Sequence, residues 1–284
     1  LGIRFWDSVL SRSVGDGLVA TAQRLSNDRT RRLGHPIHGF STPSSVIAFK
    51  GLSEAENLPA DTPSELWDTL PPPQLAVVDV HDAQGRYLPM SFVVELPQRR
   101  AWRGRGAWQT TPLMRPIPLD SDDDQGVMLW SSATREIPSS FAVIRAQIVH
   151  QDGTISTPAS YALVEVNQHS DFAPPDTTFN QFGIADQQGN LTLILPYPPV
   201  PPPEIPSSPS DPDPVSLPLD AQMYTLDFTI RYDATHQTRL PDSLVPNLEQ
   251  ILTQPISQIG THWDSPALNN LNTTAMLRTT LQFG

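Results

Sequence analysis

Cysteine is absent from the 284-residue chain. Disulfide scaffolds and thiolate metal centres are thereby excluded, and the redox compartment leaves no trace in the sequence. Lysine is nearly absent too: Lys50 stands alone among eighteen basic residues, against thirty acidic ones. The net charge of −12 repels phosphate backbones and argues against general nucleic-acid binding. No apolar run approaches the roughly 18 residues of a membrane-spanning helix, so any membrane contact is expected to be peripheral or through a partner. No secretory-leader pattern is read either, although the chain starts at Leu1 and leaves room for residues upstream. What the chain has in abundance is proline, 31 residues against 15 glycines. Proline removes a backbone donor and clashes with the preceding turn, so long helices are not expected. The length suits two modest domains, and a hydrophobic fraction of 38% allows each a core of limited size.

Strand patterns punctuated by turns fill both halves. In the first half they are Ile3–Trp6, Gly17–Ala22 after a Gly-Asp-Gly turn, Ser45–Phe49, and a hairpin of Leu75–Val80 and Met90–Leu96. The hairpin turns through Asp82-Ala-Gln-Gly85. One short helix is expected from Thr62-Pro63-Ser64-Glu65, a capping box with proline at the first helical position, before Pro71–Pro73 stops it. The second half offers Ser140–Val149, Tyr161–Val166, a hairpin around Asp186-Gln-Gln-Gly189, and Met223–Tyr232 in strict alternation. Strands at this spacing with polar turns predict β-sandwiches, and the two Asp-x-x-Gly turns make a pair of related sandwiches plausible. After Pro241 strand periodicity fades. One or two helical turns over Pro246–Leu252 and a last strand over Leu277–Phe283 are the remaining expectations.

Residues that could carry chemistry are few. His35-Pro-Ile-His38 offers two imidazoles, but no third ligand is evident and a polar loop is the simpler reading. Asp120-Ser-Asp122-Asp123-Asp124 lacks the ordered spacing and terminal glutamate of a calcium loop, so it reads as a solvated acidic loop. Gly39-Phe-Ser41 lacks the glycine that would complete a nucleophile elbow. Neither paired carboxylates nor a nucleophile with its base emerges from the spacing, and no catalytic, metal or cofactor site is assigned.

The segment Arg99-Arg100-Ala-Trp102-Arg103-Gly-Arg105-Gly-Ala-Trp108 is the candidate interaction surface. Arginine and tryptophan are enriched at protein hot spots, and the same pair suits a lipid headgroup zone or stacking on bases. A plain loop between domains, paired with the acidic loop at Asp120–Asp124, remains open beside those readings. Residues 196–218 hold eleven prolines and read as a semi-rigid polyproline spacer, with adaptor recognition as the other reading.

Several of these segments also carry a resemblance. Phe5-Trp-Asp-Ser-Val, Gly15-Asp-Gly-Leu-Val-Ala-Thr-Ala22 and Ser44-Ser-Val-Ile-Ala-Phe-Lys-Gly-Leu52 resemble the opening of carboxypeptidase-regulatory-like sandwiches. The series continues with Val78–Phe92, Phe141–Gln147, Gly183-Ile-Ala-Asp-Gln-Gln-Gly-Asn-Leu-Thr-Leu-Ile-Leu-Pro-Tyr-Pro198 and Leu277-Arg-Thr. As a whole it is similar to accessory proteins of phage-tail-like extracellular contractile injection systems. The resemblance implies a non-enzymatic structural part, at or near the baseplate or the membrane-facing periphery, in several copies per particle. Its implied partners are baseplate, spike or sheath-proximal subunits. It also implies assembly in the bacterial cytoplasm, the particle being either membrane-anchored or released. A carbohydrate- or cell-surface-binding module is the alternative, with Trp102, Trp108 or Trp130 as the aromatics.

The expected architecture is therefore mainly β: two tandem antiparallel, transthyretin- or Ig-like sandwiches over residues 1–98 and 139–240. An Arg/Trp-rich and acidic linker spans 99–138 between them. The proline-rich loop belongs to the second sandwich, and 241–284 forms an extended tail that adds to a neighbour's sheet edge.

Overall fold

The computed structural model describes residues 1–52, 74–96, 126–137, 141–152, 154–170, 179–196, 224–236, 238–240, 243–264 and 276–283. The chain is mainly β and divides into two compact units. Unit 1 comprises Leu1–Arg135 and Thr235–Gln254, and unit 2 comprises Glu136–Ala234 and Pro255–Gly284.

Unit 1 has two sheets. In the first, β4 (Arg32–His38), β3 (Leu18–Leu25), β7 (Gln74–Asp82) and β8 (Met90–Leu96) lie side by side, all antiparallel. The second runs β2 (Arg12–Val14), β1 (Gly2–Asp7), β6 (Val46–Ala48), β5 (Phe40–Ser41), and β9 (Val127–Leu129) pairs with β1 in parallel. Alternation along β1 turns Ile3, Phe5 and Asp7 inward, all fully buried. The Phe5 ring meets Phe92 of β8 edge-on at 6.2 Å, which joins the two sheets.

Strands β7 and β8 are buried on both faces, because their second face is covered from far along the chain. Leu25, Val77, Val93 and Leu240 form a separate small core with Leu75 packed against it. Helix α1 (Leu248–Leu252) lies against β8 with Leu248, Ile251 and Leu252 buried. Asn247 caps the helix by accepting from the Gln250 amide. The Pro246 carbonyl accepts from both the amide and the hydroxyl of Ser91, itself fully buried on β8.

Unit 2 is also a pair of sheets. Strands β13 (Phe179–Ile184), β12 (Leu163–Ser170), β15 (Tyr224–Arg231) and β16 (Ile256–Asp264) form an antiparallel sheet. In the other sheet, β10 (Phe141–Asp152) pairs antiparallel with β11 (Ile155–Pro158) and β14 (Asn190–Pro196), and parallel with β17 (Met276–Phe283). The Ile148 amide donates to Gly189 while its carbonyl accepts from Ala159. One residue's amide and carbonyl point to the same edge, so β14 and β11 follow one another along one side of β10 and β17 occupies the other. Among the described residues its core is an apolar cluster in which Ile144, Ile148, Leu191 and Leu193 pack with Val164, Val166, Phe228 and Ile230.

These pairings correct the expected boundaries. The linker proposed for 99–138 contains β9 and the packed segment Trp130–Arg135, so unit 1 extends to Arg135. The extended tail proposed for 241–284 is built into the protein itself: part of it covers β8, and β16 and β17 complete the sheets of unit 2. The reason is backbone satisfaction. The open edges of β15 and β10 carry amides and carbonyls in need of partners, and this chain's own C-terminal strands supply them. The expected helix over Thr62–Leu70 and the proline-rich segment beyond Pro196 lie outside the described residues.

Candidate functional site

Among the described residues, a set of buried and half-buried polar side chains gathers where four turns of unit 1 meet. Asp7 ends β1 at an inward position, and a carboxylate there must find donors, since leaving a buried charge uncompensated costs about 3–5 kcal/mol. It finds four. One oxygen accepts from the Val9 and Leu10 amides at 2.9 and 3.2 Å, an Asx-type turn that starts the β1–β2 connection. The other accepts from the Tyr87 hydroxyl and an Arg135 guanidinium nitrogen, each at 2.6 Å. Arg135 is 4% exposed and also donates to the Ser131 hydroxyl.

Beside this group lies a second one built on the β7–β8 turn. Gly85, at φ +69°, takes the left-handed conformation that the Asp-x-x-Gly turn requires. Asp82 accepts from the Arg86 amide at 2.7 Å and from its guanidinium at 2.9 and 3.0 Å. Arg86 reaches on to the Asp16 carboxylate and carbonyl, which pins the Gly-Asp-Gly turn. The Ser132 and Thr134 hydroxyls donate to the Gly85 carbonyl. The Arg86 and Arg135 guanidinium carbons lie 5.2 and 5.0 Å from the centre of the Tyr87 ring.

Electrostatics follow from these contacts. Burial pushes the Asp82 carboxyl up, but the hydrogen bonds from Arg86 outweigh it and hold the group below its usual range. The Tyr87 phenol is driven well above its usual range by burial and by its bond to Asp7. The Arg86 guanidinium is raised further by Asp82. The Asp7 and Asp82 carboxylates are each met by several donors, and Arg86 and Arg135 are each held by carboxylate partners. The group ties four turns together and presents no base poised against a nucleophile.

The residues singled out in the sequence fall elsewhere. Arg99, Arg100, Trp102, Arg103, Arg105 and Trp108 lie outside the described residues, as do Asp120 to Asp124. His35 and His38 are exposed on β4, where the intervening Pro36 sits on an edge strand. Among the described residues no three His, Cys, Asp or Glu side chains are grouped to hold a metal. Trp130 is 4% exposed, which removes it as a glycan-stacking aromatic. Sequence reasoning missed Asp7 and Arg135, although one signal was present. An aspartate in the inward series Ile3, Phe5, Asp7 demands a buried cation or donor set somewhere in the chain.

No protein-family model matches the chain, and no curated protein does. Among solved structures, a 9R-lipoxygenase from Cyanothece shares 15% identity over 53% of this chain, at a TM-score of 0.24. This chain spans only 18% of that lipoxygenase. A minor pilin from Streptococcus agalactiae shares 8% identity, with 99% of this chain and 94% of the pilin covered, at a TM-score of 0.23. A pilus-adhesin fragment from Lactobacillus rhamnosus shares 10% identity, covering 99% and 97%, at 0.22. Likeness at this level assigns no function to this chain.

Proposed function

We propose that this chain is a non-enzymatic structural component of a contractile, phage-tail-like particle, placed at or near the baseplate or its membrane-facing periphery. The supporting observation is how unit 1 uses its buried charges. Asp7, Arg135, Asp82 and Arg86 are all engaged in holding turns together, as suits a part that transmits load rather than turns over substrate. The division of the chain points the same way. It passes between the units three times, at 135/136, 234/235 and 254/255, so three covalent connections join them. Baseplate, spike or sheath-proximal subunits are the partners, in several copies per particle.

The test is mass spectrometry and imaging of intact particles purified from the native host. Presence at fixed stoichiometry supports the reading; particles that never contain the chain sink it. A carbohydrate- or cell-surface-binding module is the second reading, resting on Trp102 and Trp108. Glycan binding by the isolated protein, lost on their replacement by serine, would favour it.

A further inference from the structure

Strands β15 and β16 are neighbours in one sheet of unit 2, yet the chain between them does not make the short turn, of about two to five residues, of an ordinary hairpin. Their ladder runs to Arg231 opposite Ile256, and one step further the Tyr232 amide donates to the Pro255 carbonyl at 3.1 Å. Both sides of that neck belong to unit 2, while Thr235–Gln254 belongs to unit 1. The hairpin therefore opens at its neck, sends residues 233–254 out to unit 1, and takes the chain back at the same place.

The excursion is tied to itself and seated in unit 1. The Asn247 amide donates to the Thr238 carbonyl at 2.7 Å, Arg239 pairs with Pro246 in an antiparallel bridge, and His236 Nε2 donates to the Gln250 carbonyl at 2.8 Å. Its seat is the second face of β7 and β8. Leu240 packs with Leu25, Val77 and Val93, while Leu248 and Ile251 are fully buried. Ser91 of β8 donates to the Pro246 carbonyl through both amide and hydroxyl. Glu249 adds an ion pair to Arg29 of the β3–β4 turn at 3.3 Å.

We infer that residues 233–254 form a clasp through which the folded state of unit 1 stabilises unit 2. A docked clasp keeps the ends of β15 and β16 together even when the rest of unit 2 is unfolded, so it acts on the unfolded chain as a cross-link does. Released, the same segment is a loop of more than about 15 residues whose closure must accompany every pairing of β15 with β16. The difference is roughly a hundredfold in the folding equilibrium of unit 2. Such linkage is reciprocal. Paired β15 and β16 hold both ends of the clasp, which lowers the entropy lost when it covers β7 and β8. The coupling runs through the backbone and asks only that the clasp stay seated.

Hydrogen-exchange mass spectrometry on the full chain tests this with two changes. Leu248→Asp combined with Ile251→Asp places two charges in the seat and releases the clasp, read as lost protection in α1. Strands β12 and β15 of unit 2 should then exchange roughly a hundredfold faster. Replacing residues 233–254 by Asn-Gly, a tight hairpin turn, removes the clasp but leaves a short loop. In that chain β7 and β8 should lose protection, while β12 and β15 keep theirs to within about threefold. Unchanged protection of β12 and β15 in the doubly charged variant overturns the inference. So does a short-turn chain that loses as much protection there as that variant, because loop closure would then not be the cause.

Discussion

The two units solve one local problem in the same way and then diverge. Each has an Asp-x-x-Gly turn in which the glycine amide bonds back to the aspartate carbonyl, at 3.0 Å for Gly85 and 3.1 Å for Gly189. Both glycines are left-handed, at φ +69° and +78°. In unit 2 Asp186 is satisfied locally, by the amides of Gln188 and Asn190 and the Asn190 side chain. In unit 1 Asp82 enlists Arg86, and Arg86 enlists Asp16, 70 residues away. Among the described residues, unit 2 packs around an apolar core and satisfies its turn aspartate locally, while unit 1 adds a network of charges that bolts separate turns together. An identical turn can be a closed local motif or the anchor of long-range wiring, depending on the residue four places after the aspartate.

That contrast can be broken most forcefully at its deepest point. Arg135→Ala strands a fully buried Asp7 carboxylate and should cost about 3–5 kcal/mol, read as the urea midpoint of unfolding. The paired change Asp7→Asn with Arg135→Met should cost much less, because no uncompensated charge is left. A loss below about 1 kcal/mol in the single variant would mean that the pair contributes nothing. In unit 2 the equivalent blow falls on the core. Leu193→Ala should cost about 3 kcal/mol, and hydrogen-exchange mass spectrometry should show the loss of protection concentrated in β10, β12 and β14.

Smaller in effect, Asn247→Ala removes the cap of α1 and should cost about 1 kcal/mol. Faster exchange in β8 as well as in α1 would sharpen the view that the helix is integral to unit 1. The smallest effect is that of pH. Asp82 sits below its usual range, so its contribution is present above the unfolded value and lost as pH falls through the folded one. Glu165 of unit 2 is raised by burial, so its contribution is full below the unfolded value and lost as pH rises through the folded one. Glu249 of unit 1 is raised in the same way and partly offsets Asp82. Mild acid should therefore favour unit 2 relative to unit 1. Glu165→Gln should stabilise at neutral pH and lose that advantage in acid, measured as unfolding midpoint against pH.

Local patterns made much of this fold legible. Alternation located β1 and β15, turn-bounded apolar runs located β3, β7 and β8, and Met90–Leu96 coincides with its expected bounds. What escaped has a common cause, because partnership across the chain leaves little local trace. Val127–Leu129 is too short to show a period, and its role as a parallel partner of β1 depends on residues more than a hundred positions earlier. β4 carries Gly34 and Pro36, both strand-breakers in isolation, and exists because β3 offers it an edge. β16 starts after a proline and pairs through two register shifts, which blur its periodicity. The helix over Leu248–Leu252 was readable, but nothing around it announced that its apolar face belonged to β8.

The segment that covers β8 also sets an order of events during biosynthesis. On the ribosome, strands β7 and β8 emerge with Val77 and Val93 on a face whose cover, Leu240 and the helix after Asn247, has not yet been translated. Unit 2 waits as well, since β16 and β17 come after that helix. Neither unit can mature vectorially from its N-terminal end. Through most of translation the nascent chain displays an apolar sheet face and open strand edges, the features that recruit chaperones and invite premature association.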